Sequence, residues 1–560
     1  MTLFEKILEA RALSGELKES FLHPRYEMRH DPFLLPDMEK AVERLVIAHS
    51  SQEHIMIYGD YDIDGLTATT VLIDAFASFG FANIETFIPN RFVEGYGMTV
   101  GAVEKIAATG ATLIVTVDCG SLSEKEIIRA QELGIDVIVT DHHNVAAIQP
   151  PAVAVINPKR LLQDYPDRYK NFVLITQNDE DPLYPFLDLP GVGVAFKLVQ
   201  AMQSRLDGLP YGQEKWLLDL VALGTVCDVV TLIDENRMHV YWGLSVLAKT
   251  RRPGLKALMG VSGVEPTKVT ARSLGFGLGP RMNASGRLET AKHAQDMLIA
   301  TDGITALQKA ELLDRMNKER RATQDIIMEQ AVEQAEQYAH SKVLVVSHAD
   351  WNHGIIGIVA AKLLEKYKKP AYVLQELGEQ SKGSARSYGD FSAADAIRAC
   401  DDIITKGGGH RLAAGVTLPT ENIDAFRSRV NEYYHSLNLQ PQEPLLLPKA
   451  DVSIDTLQDV NESLLSELES LEPFGSGNPE PVLKMHGATV VDARRMGNVG
   501  QHIKLTLSDA LGNTLQMIAF SAEKSWFVEV GEVVTVWFQP IVNEWQGIRR
   551  VEARIVRLEE

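Results

Sequence analysis

Acidic and histidine side chains follow three short apolar runs of the sequence, each at the point where the run ends. These side chains are Asp60, Asp62 and Asp64 after residues 54–59, Asp118 after residues 112–117, and Asp141, His142 and His143 after residues 136–140. Carboxylates gathered in one place repel one another, and hard divalent cations remove that cost. Mixed carboxylate and imidazole ligands suit Mn²⁺ or Mg²⁺. The pattern predicts a site for two such ions, which is well matched to hydrolysis of a phosphodiester.

The apolar runs that carry these residues alternate with segments of helical composition. Residues 66–79 and 123–133 are the helical segments, and a fourth apolar run lies at 152–156. Strands that alternate with helices form βαβ units and a parallel, doubly wound sheet, so the fold class is α/β. Because the carboxyl ends of such strands line the ligand crevice, we expect the acidic and histidine side chains to meet there.

The local spacing of the acidic residues supports this interpretation. Asp62 and Asp64 are two positions apart, so on an extended segment both can point to the same side. Gly65 then permits a tight turn into a helix that begins near Leu66. Asp228 ends a further apolar run and is another candidate ligand. One aspartate at a strand end is as often a helix cap, but three strand ends of the same kind favour metal binding.

The remainder of the chain predicts three further parts. Residues 304–340 are rich in Ala and Glu and contain neither Pro nor Gly, which favours a long, solvated linking helix. A second, smaller α/β unit begins at Lys342 and closes on a Gly-rich turn at 407–410. Five short runs between turn residues fit the strands of a C-terminal barrel of the oligonucleotide-binding (OB) type. These runs are 489–495, 501–508, 514–521, 531–539 and 546–557.

The length of the chain requires several domains. With 560 residues it is too long for one compact core, and 45% hydrophobic and 23% charged residues are ordinary for a globular protein. We expect an N-terminal appendage at 1–40, a catalytic domain at 41–250, a connecting segment with the long helix at 251–340, the second α/β unit at 341–440 and the barrel at 449–560.

Charge, cysteine content and hydropathy narrow the class of protein. The net charge of −20 argues against a protein that coats nucleic acid by bulk electrostatics, although a local basic channel could still guide phosphates. Three widely separated cysteines predict neither a zinc site nor disulfides. The first residues contain no signal-peptide core and no apolar run is long enough to span a bilayer, so we expect a cytoplasmic protein without a membrane partner.

The motifs resemble those of the DHH phosphoesterase family. Four of them match residue by residue: the Asp-x-Asp pair Asp62 and Asp64, Asp118, the triplet Asp141-His142-His143, and Asp228. The second unit resembles the DHH-associated domain, whose signature is a Gly-Gly-His turn followed by Ala-Ala-Gly, here Gly408-Gly409-His410 and residues 413–415. Residues 58–67, 279–287 and 471–481 are similar to the branch of the family that degrades single-stranded DNA.

The resemblance implies both roles and an activity. The implied metal ligands are Asp62, Asp64, Asp118, His142 and Asp228, with Asp60, Asp141 and His143 beside them. The implied enzyme uses two ions of Mn²⁺ or Mg²⁺ to degrade single-stranded DNA 5′→3′ to 5′-mononucleotides, in DNA repair and recombination. It would be a monomer, with single-strand-binding protein and a RecQ-type helicase as partners.

An exonuclease must also hold the end of a strand. Arginines flanked by Gly or Ser could grip a terminal phosphate, and the Gly-rich turn could add donors. The candidates are Arg281, Arg287, Ser384, Arg386, Gly408, Gly409 and His410. The alternative is that the arginines form salt bridges between lobes and that the turn is only a tight turn. In the barrel, candidate stacking or core aromatics and candidate phosphate contacts are Phe520, Trp526, Trp537, Trp545, His502 and Lys504.

Besides the tolerable packing changes at Cys227 and Ser285, the sequence departs from the family pattern in two places. The usual Trp-His-x-Gly is here Trp351-Asn352-His353-Gly354, and Tyr58 stands where some relatives have histidine. Three other functions stay open: a DHH phosphodiesterase for short oligonucleotides or cyclic dinucleotides, a catalytically inactive DHH-derived scaffold of a replicative helicase, and a pyrophosphatase. The barrel argues against the first and third, and the intact acidic residues argue against the second.

Overall fold

The computed structural model describes residues 1–168, 182–440, 443–545 and 548–559. Its α-helices are α1 (Leu3–Ala10), α2 (Gly15–Leu22), α3 (Met38–Ser51), α4 (Ile63–Phe79), α5 (Val100–Ala107), α6 (Glu124–Glu132), α7 (Arg160–Asp164), α8 (Gly191–Met202), α9 (Leu218–Cys227), α10 (Asp234–Leu247), α11 (Pro253–Ser262), α12 (Gly279–Leu288), α13 (Lys292–Leu298), α14 (Gly303–Gln337), α15 (Ile356–Tyr367), α16 (Ala393–Arg398), α17 (Ile423–Ser436) and α18 (Glu462–Glu469). In the described part of the chain, no helix is long and apolar enough to cross a membrane.

A parallel sheet with the strand order β2-β1-β3-β4-β5 forms the centre of the first lobe. Its strands are β1 (His54–Tyr58), β2 (Asn83–Phe87), β3 (Leu113–Val117), β4 (Asp136–Thr140) and β5 (Ala154–Ile156). Strands β1, β3 and β4 are almost entirely buried because helices cover both faces of the sheet. In the register, Leu113 lies beside Ile55 and Asp136, so these three strands end at one edge. The predicted α/β fold with a parallel sheet is confirmed.

Strand β2 was not apparent in the sequence. It lies at the edge of the sheet and, in the described part of the chain, pairs with β1 alone; its residues are exposed or half-buried. Asn83 and Glu85 interrupt any apolar run there. An edge strand buries less side-chain surface than a central one, so its sequence carries a weaker hydrophobic signal.

The predicted long helix exists as α14, but it is more than a solvated spacer. One face is buried, and it carries small residues that include Ala306, Ala310, Ala331 and Ala335. This face packs against α11, α12, α13 and α15. Small side chains let neighbouring helices approach closely, so α14 ties the first lobe to the second through a packed seam.

The second lobe contains a mixed sheet with the strand order β6-β7-β8-β10-β9. Its strands are β6 (Leu344–His348), β7 (Ala371–Leu377), β8 (Gln380–Arg386), β9 (Lys406–Gly409) and β10 (Ala413–Pro419). Strands β6 and β7 are parallel, and the remaining neighbours are antiparallel. The Gly-rich segment forms the edge strand β9, whose residues are all exposed.

The C-terminal unit is a closed barrel. Its strands are β11 (Val452–Ile454), β12 (Leu483–Met496), β13 (His502–Ser508), β14 (Thr514–Ala519), β15 (Val533–Trp545) and β16 (Ile548–Glu559). The order β12-β13-β14-β16-β15 closes because β15 also pairs with β12, while β11 lies outside against β12. This arrangement confirms the predicted OB-type barrel.

The N-terminal helix α1 packs on this barrel. Phe4, Ile7 and Leu8 belong to the same buried cluster as the barrel strands. Arg11 reinforces the contact, since its Nε lies 2.7 Å from Oδ1 of Asp451 and its Nη1 donates to Oδ1 of Asn478 at 2.8 Å. The two ends of the described chain are therefore held together.

Candidate active site

Three aspartates follow β1 and enter α4. Asp62 is the N-cap of α4, and its Oδ1 accepts a hydrogen bond from the Gly65 amide at 3.1 Å. Asp64 lies in the first turn of the helix, so the expectation of an extended Asp62–Asp64 segment and a helix start near Leu66 was wrong by one turn. Gly65 is required because a Cβ there would lie 2.6 Å from the backbone N and O atoms of Asp60. This close approach brings Asp60 and Asp62 to one place.

The N-terminus of α8 binds the carboxylate of Asp64. The Gly191 amide donates to Oδ2 at 2.6 Å, and the Val192 amide donates to Oδ1 at 2.8 Å. A Cβ at Gly191 would lie 2.6 Å from Cβ of Asp118, so the helix end also fixes the position of that residue. These amides were not predicted from the sequence, although a glycine after Pro190 at the start of an apolar helix was the available signal.

His142 lies among three carboxylates. Its Nε2 is 3.1 Å from Oδ1 of Asp118, and 3.7 Å from Oδ2 of both Asp64 and Asp228. Burial, together with the positive charge of His143, lowers the pKa of His142 to about 3. The ring is therefore neutral at physiological pH, which is the form that binds a metal ion.

Asp141 has a different role from the other carboxyls. Its Oδ1 accepts the amides of His142 at 2.7 Å and His143 at 3.0 Å, and its Oδ2 accepts the amide of Ser121 at 2.9 Å. Although burial raises the pKa of Asp141, the hydrogen bond and charge of the His143 ring outweigh burial and hold that pKa well below its usual range. Asp141 thus orients the histidine pair.

Among the described residues, the other carboxyls and the imidazoles of this site form three groups of possible metal ligands. Within each group, the ligand atoms lie within 4.8 Å of one another. These groups are Asp60, Asp62 and Asp118; Asp118, His142 and His143; and Asp64, His142 and Asp228. Burial, followed by repulsion from neighbouring aspartates, raises the pKa values of Asp60, Asp64, Asp118 and Asp228. Among the described residues, Oδ1 of Asp60 is buried without a hydrogen-bonding partner, and Oδ1 of Asp118 and Nε2 of His142 lie 3.1 Å apart but make no hydrogen bond of good geometry. Orphaned oxygens and a neutral imidazole are the donor set of Mn²⁺ or Mg²⁺, so the residues fit the expected ions.

Four arginines lie beside this centre, and we call them the arginine cluster: Arg91, Arg287, Arg320 and Arg386. Burial, together with the positive charges of the other three, lowers the pKa of Arg287 to about 10. Within the described ranges, none of the four makes an ion pair with a carboxylate. Nε of Arg91 is buried and has no hydrogen-bonding partner among the residues that the structure describes. Uncompensated guanidinium groups predict an anion at this place.

The second lobe contributes Arg386 to the arginine cluster, and Ser384 lies beside it on β8. Nη1 of Arg386 donates to Oγ of Ser384 at 3.2 Å. A Cβ at Gly357, in α15, would lie 2.9 Å from that Oγ, so the helix approaches closely. Nη1 of Arg287 donates to the carbonyl of Gly354 at 3.0 Å, which links α12 to the segment before α15. Arg287, Ser384 and Arg386 are thus brought together, and Arg91 and Arg320 are additions that the sequence analysis missed.

Other candidates for substrate binding lie elsewhere. Arg281 places its Nε 2.8 Å from Oδ1 of Asp314, so it already has an ionic partner, and its role stays a prediction. His410 reaches the first lobe, since its Nδ1 lies 3.3 Å from Nδ2 of Asn144. Gly409, the last residue of β9, has a φ of +137° and no room for a Cβ, so this end of the strand requires glycine. Gly408 and Gly409 thus belong to an edge strand and not to the predicted tight turn, and the end of this strand lies near Asn144, the residue that follows His143.

The two departures from the family pattern are accommodated. The Nδ1 atom of His353 lies 2.8 Å from Oε1 of Gln375, and its ring contacts Phe92 of the first lobe edge-to-face at 4.9 Å. The Tyr58 hydroxyl donates to the carbonyl of Gly97 at 2.9 Å. Both side chains have structural partners.

Comparison with known proteins agrees with this geometry. Residues 54–225 match the DHH family, N-terminal domain, residues 337–436 the DHHA1 domain, and residues 451–557 the RecJ OB domain. The single-stranded-DNA-specific exonuclease RecJ of Escherichia coli K12 is 33% identical over 92% of this chain and 89% of its own length. The chain belongs to the RecJ family.

Solved RecJ structures share the fold. The match to the crystal structure of Thermus thermophilus RecJ in complex with Mn²⁺ covers 100% of this chain and 78% of the Thermus chain, with a TM-score of 0.79 and 27% identity. The exonuclease RecJ of Bacillus subtilis is 35% identical over 97% of this chain, which spans 66% of that relative's length. The resemblance inferred from the sequence motifs is therefore confirmed.

In this RecJ-family chain the barrel aromatics differ in their accessibility. Phe520 is 62% exposed and contacts His502 edge-to-face at 5.4 Å. The ring of Trp537 is covered by Lys484 and Arg557, each 4.4 Å from its centroid. Trp526 packs against the barrel core, and Lys504 pairs with Glu552 at 3.0 Å. The side chain of Trp545 lies outside the described residues. Phe520 is thus the candidate with an accessible ring.

Proposed function

We propose that this chain is a metal-dependent exonuclease that degrades single-stranded DNA from the 5′ end and releases 5′-mononucleotides. One observation carries the proposal: three groups of metal-ligating atoms lie beside a cluster of arginines that has no carboxylate partner in the described residues. The names of the RecJ relatives support single-stranded DNA as the substrate. The polarity rests on the position of the cluster.

The residues that would hold two ions of Mn²⁺ or Mg²⁺ are Asp60, Asp62, Asp64, Asp118, His142 and Asp228. Bound ions of this kind activate a water molecule and stabilise the charge that develops on the attacking and leaving oxygens. The amides of Gly191 and Val192 keep Asp64 in place for this task, and Asp141 keeps His142 and His143 in place. Groups that hydrogen-bond to a metal ligand fix the orientation of that ligand.

The arginine cluster supplies the recognition of a strand end. Arg287 and Arg386, with Ser384, would hold the terminal 5′-phosphate by charge-assisted hydrogen bonds, while the next phosphodiester lies over the acidic residues. A water oxygen then joins that phosphorus, the bond to the 3′-oxygen breaks, and the 3′-oxygen takes up a proton. The released product is a 5′-mononucleotide, and the remaining strand has a new 5′-phosphate, so the cycle can repeat.

His143 is placed to assist a proton transfer. Burial lowers its pKa, but the hydrogen bond and charge of Asp141 outweigh burial, so the pKa of His143 is raised above the ordinary value. Its Nδ1 is occupied by Asp141 at 2.9 Å, which holds the ring in one orientation. The other ring nitrogen is left to donate a proton to a leaving oxygen or to bind the phosphate.

The wider role follows the family. We propose that the enzyme serves DNA repair and recombination in the cytoplasm as a monomer, and that single-strand-binding protein and a RecQ-type helicase are its partners. The proposed units are the appendage at 1–40, the catalytic domain at 41–250, the connecting segment at 251–340, the DHH-associated domain at 341–440 and the barrel at 449–560.

Digestion of end-labelled DNA tests this function. A single-stranded oligonucleotide carrying label at its 5′ or 3′ end is incubated with the full chain and Mn²⁺, with or without a chelator. We expect early release of labelled mononucleotide from the 5′ end, and no release with the chelator. Release from the 3′ end first would overturn the polarity. Survival of long strands while cyclic dinucleotides or dinucleotides are cut would favour a small-substrate phosphodiesterase instead.

A further inference from the structure

A cavity of about 820 Å³ lies between the first lobe and the C-terminal barrel. Its lining includes Cys227, which precedes Asp228, and Arg287 of the arginine cluster. It also includes Gln539 of β15 and Arg554 of β16. DNA that passes from the metal-ligating residues to the barrel would cross this cavity, and the cavity walls would then contact the strand on the 3′ side of the bond to be cut.

Phe276 is an exposed aromatic side chain in the wall of this cavity. It exposes 76% of its surface, although most phenylalanines bury their rings because burial stabilises a protein by about 2–3 kcal/mol. The residue lies on a π-helix, Ser273–Leu278, a rare form that occurs frequently at functional sites. Its neighbours Gly275 and Gly277 have no side chains that could cover the ring.

Arg272 adds a cation to this aromatic side chain. Its guanidinium carbon lies 5.4 Å from the centroid of the Phe276 ring, within the range of a cation–π contact. The side chain of Arg272 is largely exposed, and its Nη1 is 3.9 Å from Oε1 of Glu480 at the edge of ion-pair range. An exposed ring beside an accessible cation is the pattern that binds a nucleobase together with its phosphate.

We propose that Phe276 and Arg272 form a stacking platform for one unpaired base of the substrate, on the 3′ side of the scissile bond. The inference rests on the proposed function, because it assumes that DNA occupies the cavity. Every base has a flat π-face, so the platform accepts any base. A base inside a duplex has both faces covered by its neighbours, so the platform favours single strands. The residue thus contributes to strand selection without contact with the metal ligands.

The first test separates binding from chemistry. Phe276→Ala is compared with Phe276→Trp, which keeps a stacking face, and with Phe276→Leu, which keeps only apolar bulk. We expect Phe276→Ala and Phe276→Leu to raise KM for a 5′-phosphorylated decathymidylate by roughly tenfold, the low end of the range for loss of one stacked base, with kcat changed less than twofold. Phe276→Trp should keep the wild-type KM. Tyr211→Ala is the matched control, because Tyr211 is an aromatic residue of similar exposure outside the cavity lining.

The second test locates the base. Decamers that each carry one abasic position are digested by the wild type and by Phe276→Ala. The proposal expects one position at which the abasic site raises the wild-type KM, and no such position in the variant. The same dependence of KM on the abasic position, and the same KM, in the wild type and in Phe276→Ala would overturn the platform. A lower kcat in Phe276→Ala with an unchanged KM would overturn it as well. If the wild type failed to cut any oligonucleotide, the proposed function itself would fall, so the two failures are distinguishable.

Discussion

Replacing Gly191 by alanine is expected to disable the metal centre although it replaces none of the proposed ligands. The new Cβ would lie 2.6 Å from Cβ of Asp118 and 2.7 Å from its Oδ1. Carbon atoms in contact normally lie about 3.5–4 Å apart, so the helix or the aspartate must move by about 1 Å. The same displacement loosens the two amides that bind Asp64.

The size of the effect follows from these distances. Overpacking of this kind costs about 1–3 kcal/mol of stability. A misplacement of about 1 Å at reacting groups costs roughly 100-fold in rate, so we expect kcat to fall by about that factor. The affinity for Mn²⁺ should fall as well, because both Asp64 and Asp118 are displaced.

Steady-state digestion of single-stranded DNA, isothermal titration with Mn²⁺ and thermal unfolding measure the three effects. Gly101→Ala is the control, because Gly101 also lies in the first turn of a helix and a Cβ there meets nothing within 4 Å. The control should keep full activity. Wild-type kcat and Mn²⁺ affinity in Gly191→Ala would refute the argument that the α8 terminus positions the ligands.

Three further outcomes are expected. Arg386→Ala should reduce the preference for a 5′-phosphate over a 5′-hydroxyl by about 10- to 100-fold, which is the effect of one charge-assisted contact. Arg281→Ala should reduce this preference less, because Asp314 already pairs with the Arg281 guanidinium. Equal preferences in the wild type and both variants would contradict the role of the arginine cluster. Mn²⁺ at 100 times its Kd should stabilise the wild type by about 2.7 kcal/mol in thermal unfolding, and Asp118→Asn should lose most of this gain. Burial lowers the pKa of His239 from 6.5 to about 4, so between these pH values the unfolded chain binds more protons than the folded chain. The free energy of unfolding should therefore fall by up to about 3 kcal/mol as the pH decreases from 6.5 to 4. Calorimetry of His239→Met over the same pH range should show a smaller fall.

The central strands and the acidic residues at their ends could be predicted because a buried strand is marked by its own apolar residues. The parallel order then requires that Asp60, Asp118 and Asp141 meet at one edge of the sheet. Strand β2 lacked that signal because it lies exposed at the sheet edge. The position of Asp64 was misjudged by one helical turn because an N-cap and an extended residue look alike in sequence.

The parts of the site that come from distant segments were harder to predict. The amides of Gly191 and Val192 have no side-chain chemistry that a sequence could display. Arg91 and Arg320 lie in a loop and in a long charged helix, where an arginine is unremarkable until the fold brings it beside Arg287. By contrast, Arg281 stood in a suggestive motif but pairs with Asp314.

The most direct test of the account is a crystal structure of the full chain with Mn²⁺ and a 5′-phosphorylated oligothymidylate whose first phosphodiester is replaced by a non-hydrolysable analogue. We expect two ions bound by Asp62, Asp118 and their neighbours, and the terminal phosphate in contact with Arg287 and Arg386. A terminal phosphate bound elsewhere, or the 3′ end of the strand at the metal ions, would contradict it.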